Sequence, residues 1–249
     1  MSFEGKVAFV AGAGGGMGLN IANDLIAAGV NVSLADVKPN PLEVAKGPGA
    51  HLYCQIDLTE ADGVKAAIDE TVERYGRLDY LVNATGVLWL ERDVSLVEME
   101  LEVWERVLDI NLRSHMLTAR YTIPAMKASG GGAMVHIASI DALSGDPKPQ
   151  DAYGVSKAGV IRLSKAIAVQ FAKDGIRSNA LLPGPVLSPM QARWQDKPQA
   201  QAAVAAHIPL GRIGTTQDQS DACLFLLSDK ARFITGTELI VDGGVTALP

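Results

Sequence analysis

The chain has 249 residues, of which 48% are hydrophobic and 20% charged, a balance that can bury a sizeable core and carries too few charges for a disordered polymer. The net charge is −6 and the basic residues are scattered, so the positive stripe that a nucleic-acid backbone demands is missing and no such partner is expected. Cys54 and Cys223 lie outside any CxxC or Cys/His cluster, no apolar run is long enough for a bilayer, and the amino terminus lacks signal-peptide features; a cytoplasmic protein with reduced thiols and no membrane partner is expected.

Val7–Ala11 reads as a short buried strand, followed by glycines and the helical pattern Met17, Leu19, Ile21, Leu25 and Ile26, which Gly29 ends. Val30–Ala35 is a second strand closed by Asp36, and His51–Ile56 a third that ends at Asp57. Thr59, with Asp62 three positions on, is expected to cap a helix running to about Tyr75, where Gly76 stops it. Leu78–Asn83 is a fourth strand. A long amphipathic helix is predicted over about Val103–Ser129, interrupted or bent near Pro124. The glycines at 130–132 turn the chain into the strand Ala133–Ala138. Ala152–Asp174 reads as helix, Ile176–Leu182 as strand, Ala222–Ser228 as part of a late helix, and Glu238–Val241 as a last strand.

Strands rich in Val, Ile and Leu that alternate with helices predict an α/β fold: a Rossmann-like, doubly wound parallel β-sheet flanked by helices on both faces. Ligands then sit at the carboxyl ends of the strands. Residues 1–249 read as a single dinucleotide-binding catalytic domain. Pro183–Pro209 breaks the rhythm with four prolines between 183 and 198 and no predicted strand, and is expected to be an irregular substrate loop at about 186–210.

Gly12, Gly14, Gly15, Gly16 and Gly18, with Met17, lie between the first strand and the first helix, where bare backbone can approach a pyrophosphate at a helix amino terminus. Asp36 ends the second strand eighteen positions after Gly18, placed to accept from ribose hydroxyls and to repel a 2′-phosphate. The glycine turn offers no base and Lys38 is the nearby cation, so NAD is expected over NADP. Asp57 and Leu58 have two readings, an adenine-edge contact or a plain turn before Thr59, and the residues alone leave both open.

Tyr153 and Lys157 stand four apart, on one helix face. An unperturbed phenol ionises near pH 10, too high for a base at neutrality, and a nearby cation is expected to lower that value. His51, His115, His136 and His207 have no metal-ligand spacing, so no metal is expected, and His136 inside an apolar strand reads as a hydrogen-bonded core residue.

The glycine turn, Asp36, Asn83-Ala84-Thr85-Gly86, Asn111, Ser139, the Tyr153/Lys157 pair and Pro183-Gly184 come in the order of the short-chain dehydrogenase/reductase family, which the chain resembles from about residue 5 to 244. The resemblance implies that Tyr153 is the acid/base, that Lys157 lowers its pKa and holds the nicotinamide ribose, and that Ser139 hydrogen-bonds the substrate oxygen. It implies further that Asn111 keeps a water beside the lysine and completes a proton relay. Asn83 would steady the sheet, and the Ala84 and Gly86 backbone would pass near the adenosine ribose. Pro183, Gly184, the Val186 backbone and the Ser188 hydroxyl would hold the carboxamide, and Asp57-Leu58 matches the adenine-binding pair. Ala11 replaces a threonine that usually opens the glycine motif, Ala84 replaces the second asparagine, and Ser188 stands where threonine is commoner. These departures touch cofactor affinity and turn geometry rather than proton transfer.

An NAD-dependent oxidoreductase interconverting a secondary alcohol and a ketone is therefore expected. The rival enzyme is an NADPH-dependent 3-oxoacyl-type ketone reductase; the rival of another class is a catalytically inactive nucleotide-binding sensor or scaffold. Trp89, Leu143, Met190 and Trp194 are expected as an apolar substrate wall, with Asp146, Gln150 and Arg193 as polar anchors, although packing or surface roles suit each as well. The resemblance also implies a homo-oligomer, a tetramer or dimer.

Overall fold

The computed structural model describes residues 3–145 and 147–248. Seven parallel strands form one sheet: β1 (Val7–Ala11), β2 (Asn31–Asp36), β3 (His51–Gln55), β4 (Tyr80–Asn83), β5 (Gly132–Ile137), β6 (Ile176–Pro183) and β9 (Glu238–Val241), in the order β3-β2-β1-β4-β5-β6-β9. A separate two-residue pair joins β7 (Val186–Leu187) to β8 (Gly214–Thr215). Because both faces of the sheet are covered, β1 is buried along its whole length and its side chains divide by pleat. Ala8 and Val10 enter the core under α1 (Gly16–Ala27) and α7 (Thr216–Leu227). Val7, Phe9 and Ala11 enter the core under α2 (Ala61–Tyr75) and α4 (Ser114–Ala128).

Strand order reverses between β1 and β4, so the chain leaves these two neighbours in opposite directions and a crevice opens at their carboxyl ends. The register places Ala11 beside Asn83, and Asn83 beside His136. The first helix, the fourth strand and the Asn83–Gly86 segment therefore meet at one edge.

Three expectations are corrected, and the start of the late helix is fixed. The long helix from Val103 to Ser129 is divided into α3 (Leu101–Leu108) and α4 by a π turn at Asp109–Arg113, while α4 continues through Pro124. Thr59 does not cap α2; its N–H and hydroxyl both donate to Asp57 Oδ1, at 2.9 and 2.7 Å, and Glu60 takes the cap position without a side-chain bond. The region from Pro183 to Pro209 contains strand: β6 reaches Pro183 and β7 pairs with β8, followed by a 3₁₀ segment at Pro189–Trp194 and α6 (Pro198–Ala205). The late helix starts six residues before Ala222, at Thr216, because Thr215 and Asp218 form a reciprocal capping box.

Arg177 on β6 ties the sheet to the end of α7 (Thr216–Leu227). Its guanidinium donates to the carbonyls of Leu226, Leu227, Ser228 and Ile234 at 2.8–3.3 Å. Replacing it takes this partner from the Leu226 and Leu227 carbonyls, while Ser228 O keeps Ala231 N and Ile234 O keeps Asn179 Nδ2, so Arg177→Ala is expected to lower unfolding free energy by about 3 kcal/mol, with partial recovery in Arg177→Lys. Urea denaturation checks this, and an unchanged midpoint contradicts it.

Candidate active site

A cleft of about 480 Å³ opens at the carboxyl ends of β1 and β4, with Gly12, Gly15, Gly16, Met17 and Gly18 on its rim. The turn is held from the second strand: Asp36 Oδ2 accepts from Gly14 N at 2.8 Å and Oδ1 from Lys38 N at 3.0 Å. A Cβ at residue 14 would lie 2.7 Å from the Asp36 carboxyl carbon, so this approach requires glycine. On the open side, a Cβ at Gly15 would meet nothing within 4 Å and one at Gly16 only Pro189 Cδ at 3.5 Å. Bare backbone thus faces free space at the amino end of α1, a cradle of the right chemistry for a pyrophosphate.

Asp36, Asp57, Leu58, Ala84, Gly86 and Ser188 line the same cleft. Arg106 lines it too, donating to Asp57 Oδ2 at 3.4 Å and Thr59 Oγ1 at 3.3 Å. Lys38 is therefore not the sole cation at this end; Arg106 lies one helical turn before Ile110, another lining residue. The neighbouring guanidinium and the Thr59 bonds hold the Asp57 carboxyl below its usual range against its own partial burial.

A second cleft of about 300 Å³ continues from the first, sharing Met17, Ala84, Gly86, Leu88, Ser188 and Met190 with it. Ser139, Tyr153, Lys157, Pro183, Gly184 and Val186 line it. Ser139 and Tyr153 line this cleft together, and Ser139 Oγ accepts from Asp141 N at 3.2 Å. Helix α5 (Asp151–Gln170) carries Tyr153 and Lys157 and is rooted by the fully buried Asp93, whose carboxylate accepts from Ala152 N at 2.9 Å and Tyr153 N at 2.8 Å. Burial pushes the Tyr153 phenol well above its ordinary value, the Asp141 charge adds to this, and the Ser139 hydroxyl opposes it. The expected depression by Lys157 is not what governs it: the lysine Nζ donates to Ile137 O at 2.9 Å and lies 5.7 Å from the phenol ring centroid. Burial lowers the Lys157 ammonium to about 8.

Asn111 lines neither cleft. It sits at the centre of the π turn, fully buried, with Oδ1 accepting from Val87 N at 2.7 Å and Nδ2 donating to Val87 O and Ser156 Oγ. The Gly86 backbone passes between it and the lysine, so close that a Cβ there would lie 3.1 Å from Lys157 Nζ and 3.5 Å from Asn111 Oδ1.

The family described as Enoyl-(Acyl carrier protein) reductase matches residues 12–246. The chain is 35% identical over 249 residues to 2-(R)-hydroxypropyl-CoM dehydrogenase of Xanthobacter autotrophicus, covering 98% of this chain and 99% of that one. It is 35% identical over 251 residues to cyclohexanol dehydrogenase of an Acinetobacter species, covering 98% and 96%. Among solved structures, the aldohexose dehydrogenase of Thermoplasma acidophilum superposes with a TM-score of 0.89 at 32% identity, over 99% of this chain and 96% of that one. This chain belongs to the short-chain dehydrogenase/reductase family. As a member it is an NAD(P)-dependent oxidoreductase.

Not every expected substrate residue of this short-chain dehydrogenase/reductase reaches the second cleft. Gln150, Met190 and Trp194 line it, with Arg193 and Gln191 beside them. Trp89 lies instead on the larger cleft, under the Arg92 guanidinium at 5.1 Å. Leu143 is 44% exposed and lies not in this cleft but in an adjoining surface depression with Ser144 and Val155, which shares Asp141 and Gln150 with it. Asp146 lies outside the described residues. Among the described residues no three His, Cys, Asp or Glu side chains cluster as a metal site, and no helix is long and apolar enough to cross a membrane.

Behind the Ala84–Gly86 segment lies a buried polar layer that sequence reading resolved only as separate residues. His115 and His136 are fully buried, with ring centroids 5.8 Å apart. His115 Nε2 faces Thr85 O at 3.0 Å and must donate, whereas His136 Nδ1 faces Asn83 Nδ2 at 3.1 Å and must accept. Asn83 Oδ1 in turn accepts from Thr118 Oγ1 at 2.7 Å, so Asn83 is held from strand and helix together. Both imidazoles are neutral: burial lowers His136 to about 4, and burial with the Lys157 charge lowers His115 well below its ordinary value.

Each of these histidines binds a proton more readily when unfolded, near pH 6.5, than when folded. Their stabilising contribution is complete above that pH and is lost as pH falls towards the folded value, about 4 for His136. The slope is at most about 1.4 kcal/mol per pH unit for each group. Urea unfolding at pH 7 and pH 5 is expected to show a smaller acid loss in His136→Asn than in the wild type; equal losses contradict a neutral buried imidazole.

Proposed function

We propose that this enzyme interconverts a secondary alcohol and a ketone, with NAD preferred over NADP and Tyr153 transferring the proton. The observation that carries the reading is that Ser139 and Tyr153 line the second cleft together, one helical turn from a buried Lys157. The names of the hydroxypropyl-CoM and cyclohexanol dehydrogenases support the substrate class. A nicotinamide supplies the hydride acceptor or donor of such a reaction.

The chain's own groups divide the remaining work. The glycine turn and α1 receive the pyrophosphate, and Ser188 with the Val186 backbone holds the carboxamide end. Asp36, fixed by Gly14 and Lys38, accepts ribose hydroxyls and sets a negative charge where NADP would bring a phosphate. Asp57 meets the adenine edge, steadied by Arg106. Ser139 fixes the substrate oxygen while Tyr153 moves its proton. Lys157 holds the nicotinamide ribose, and Asn111, across Gly86 from it, serves the relay to solvent. Residues 186–210 act as the substrate loop. The enzyme works in the cytoplasm as a homotetramer or dimer, a reading supported by the exposed apolar Met116, Val155 and Val169 on α4 and α5.

Because burial raises the Tyr153 pKa, the phenol of the protein alone is protonated at neutral pH. Alcohol oxidation needs it ionised, so kcat/KM for oxidation is expected to climb with pH through the neutral range, while ketone reduction, which needs the proton, stays level or falls. Tyr153→Phe is expected to lower kcat about 10²–10⁴-fold while leaving NAD affinity within a few-fold. Steady-state assays of secondary alcohols with NAD and NADP, together with calorimetric cofactor binding, test these points. Wild-type rates in Tyr153→Phe remove it as the proton carrier, and a clear preference for NADP removes the role given to Asp36.

A further inference from the structure

The charged groups of the second cleft are few. Asp141, Lys157 and Arg193 are the ones that line it. Lys157 is 3% exposed and its Nζ donates to Ile137 O at 2.9 Å, on the cleft floor where the proposed function gives it the ribose. Asp141 follows Ser139 on the wall beside Tyr153, close enough that its charge raises the phenol. Arg193 comes from another wall, the 3₁₀ segment Pro189–Trp194 that follows β7.

Arg193 is the arginine that lines this cleft, and like Arg74 and Arg92 it lies over an aromatic ring. Arg77, Arg106, Arg113 and Arg212 are in ion pairs, and Arg177 is surrounded by carbonyls. Among the described residues no carboxylate lies within 4.0 Å of Arg193; its guanidinium instead stacks on Trp194, 4.8 Å from the ring centroid. A guanidinium stacked on an aromatic face keeps its in-plane N–H fork open for two parallel bonds to an oxyanion. Beside it, Gln191 lines the same cleft with a buried side-chain oxygen that has no hydrogen-bond partner, an acceptor suited to a donor on the ligand rather than to its oxyanion. Leu88, Ile140, Val186, Met190 and Val204 supply the apolar remainder.

We infer that the alcohol taken by this enzyme carries a carboxylate or similar oxyanion away from its carbinol carbon, and that Arg193 binds it. This rests on the secondary-alcohol reading above and names the substrate class within it. The arrangement also orients the molecule. Asp141 repels an anion from the Ser139–Tyr153 end while Arg193 attracts it at the other, so the hydroxyl meets Tyr153 and the apolar body spans the space between.

The test uses the intact enzyme with three probes: 4-hydroxycyclohexanecarboxylate, neutral cyclohexanol, and cyclohexanecarboxylate, which has no hydroxyl to oxidise. Wild type is expected to favour the hydroxy acid in kcat/KM and to bind cyclohexanecarboxylate more weakly as salt rises. Arg193→Met is expected to lose about 10–100-fold in kcat/KM for the hydroxy acid beyond any change for cyclohexanol, with Arg193→Lys between. Equal losses on both alcohols, or a wild type that neither binds cyclohexanecarboxylate nor favours the hydroxy acid, overturn the inference. If cyclohexanecarboxylate binds through Arg193 while neither alcohol is oxidised with NAD or NADP, the anion site stands and the dehydrogenase reading falls.

Discussion

A buried ammonium constrains the architecture around it more than any other single group. Taking the Lys157 charge out of water costs several kcal/mol unless hydrogen bonds replace the lost hydration. One replacement is the carbonyl of Ile137, the last residue of β5, at 2.9 Å. That contact fixes where α5 must lie relative to the sheet. It also limits what can approach from the other side: the chain passes the lysine at Gly86, where a Cβ would crowd Nζ. The residual cost of burial appears as the lowered pKa, about 8, which keeps the proton readily exchangeable near neutrality.

The same charge shapes the layer behind it. His115 is held neutral by burial and by Lys157, and only as an N–H donor at Nε2 can it satisfy the Thr85 carbonyl. Thr85 lies between Ala84 and Gly86, so the imidazole holds from behind the segment whose front edge lines both clefts. Asn83, one residue earlier, is bonded to His136 on β5 and to Thr118 on α4. A loop that lines both clefts is thus braced from strand and helix by side chains that line neither. The departure at Ala84 sits in this braced stretch, and the hydroxyl of the next residue, Thr85, is buried without a partner.

What the sequence reveals follows from how far each signal reaches. The strands of the sheet and the glycine turn are legible because pleat, helical period and bare glycines are local patterns. Tyr153, Lys157 and Ser139 are legible because their chemistry and order are distinctive. Asp93 carries no local mark: its partners are the N–H groups of residues 152 and 153, and only the fold brings them together. Arg106 is far from Asp36 and Asp57 in sequence and reaches the cleft from α3 (Leu101–Leu108), so no local pattern marks it. The π turn was missed because a proline draws attention as a helix breaker, yet Pro124 is tolerated within α4 and the distortion falls at Asn111, whose side chain bonds backbone and hydroxyl partners outside its own helix. Leu143 is near Tyr153 in sequence, but the turn after Ser139 carries it to the surface.

The two walls of the second cleft are built on different principles. Its floor is anchored through long-range bonds: Asp93 to α5, Asn111 to Val87, Lys157 to β5. Its roof, from Ser188 to Ala205, is held mainly to itself, through contacts such as Gln201 Nε2 to Trp194 O at 2.9 Å. A change on the floor is transmitted to Tyr153 and so to the chemistry. A change on the roof alters what lies over the tyrosine while the tyrosine keeps its place. A cleft so divided can hold one proton-transfer geometry constant while side chains such as Arg193 and Gln191 select the molecule presented to it.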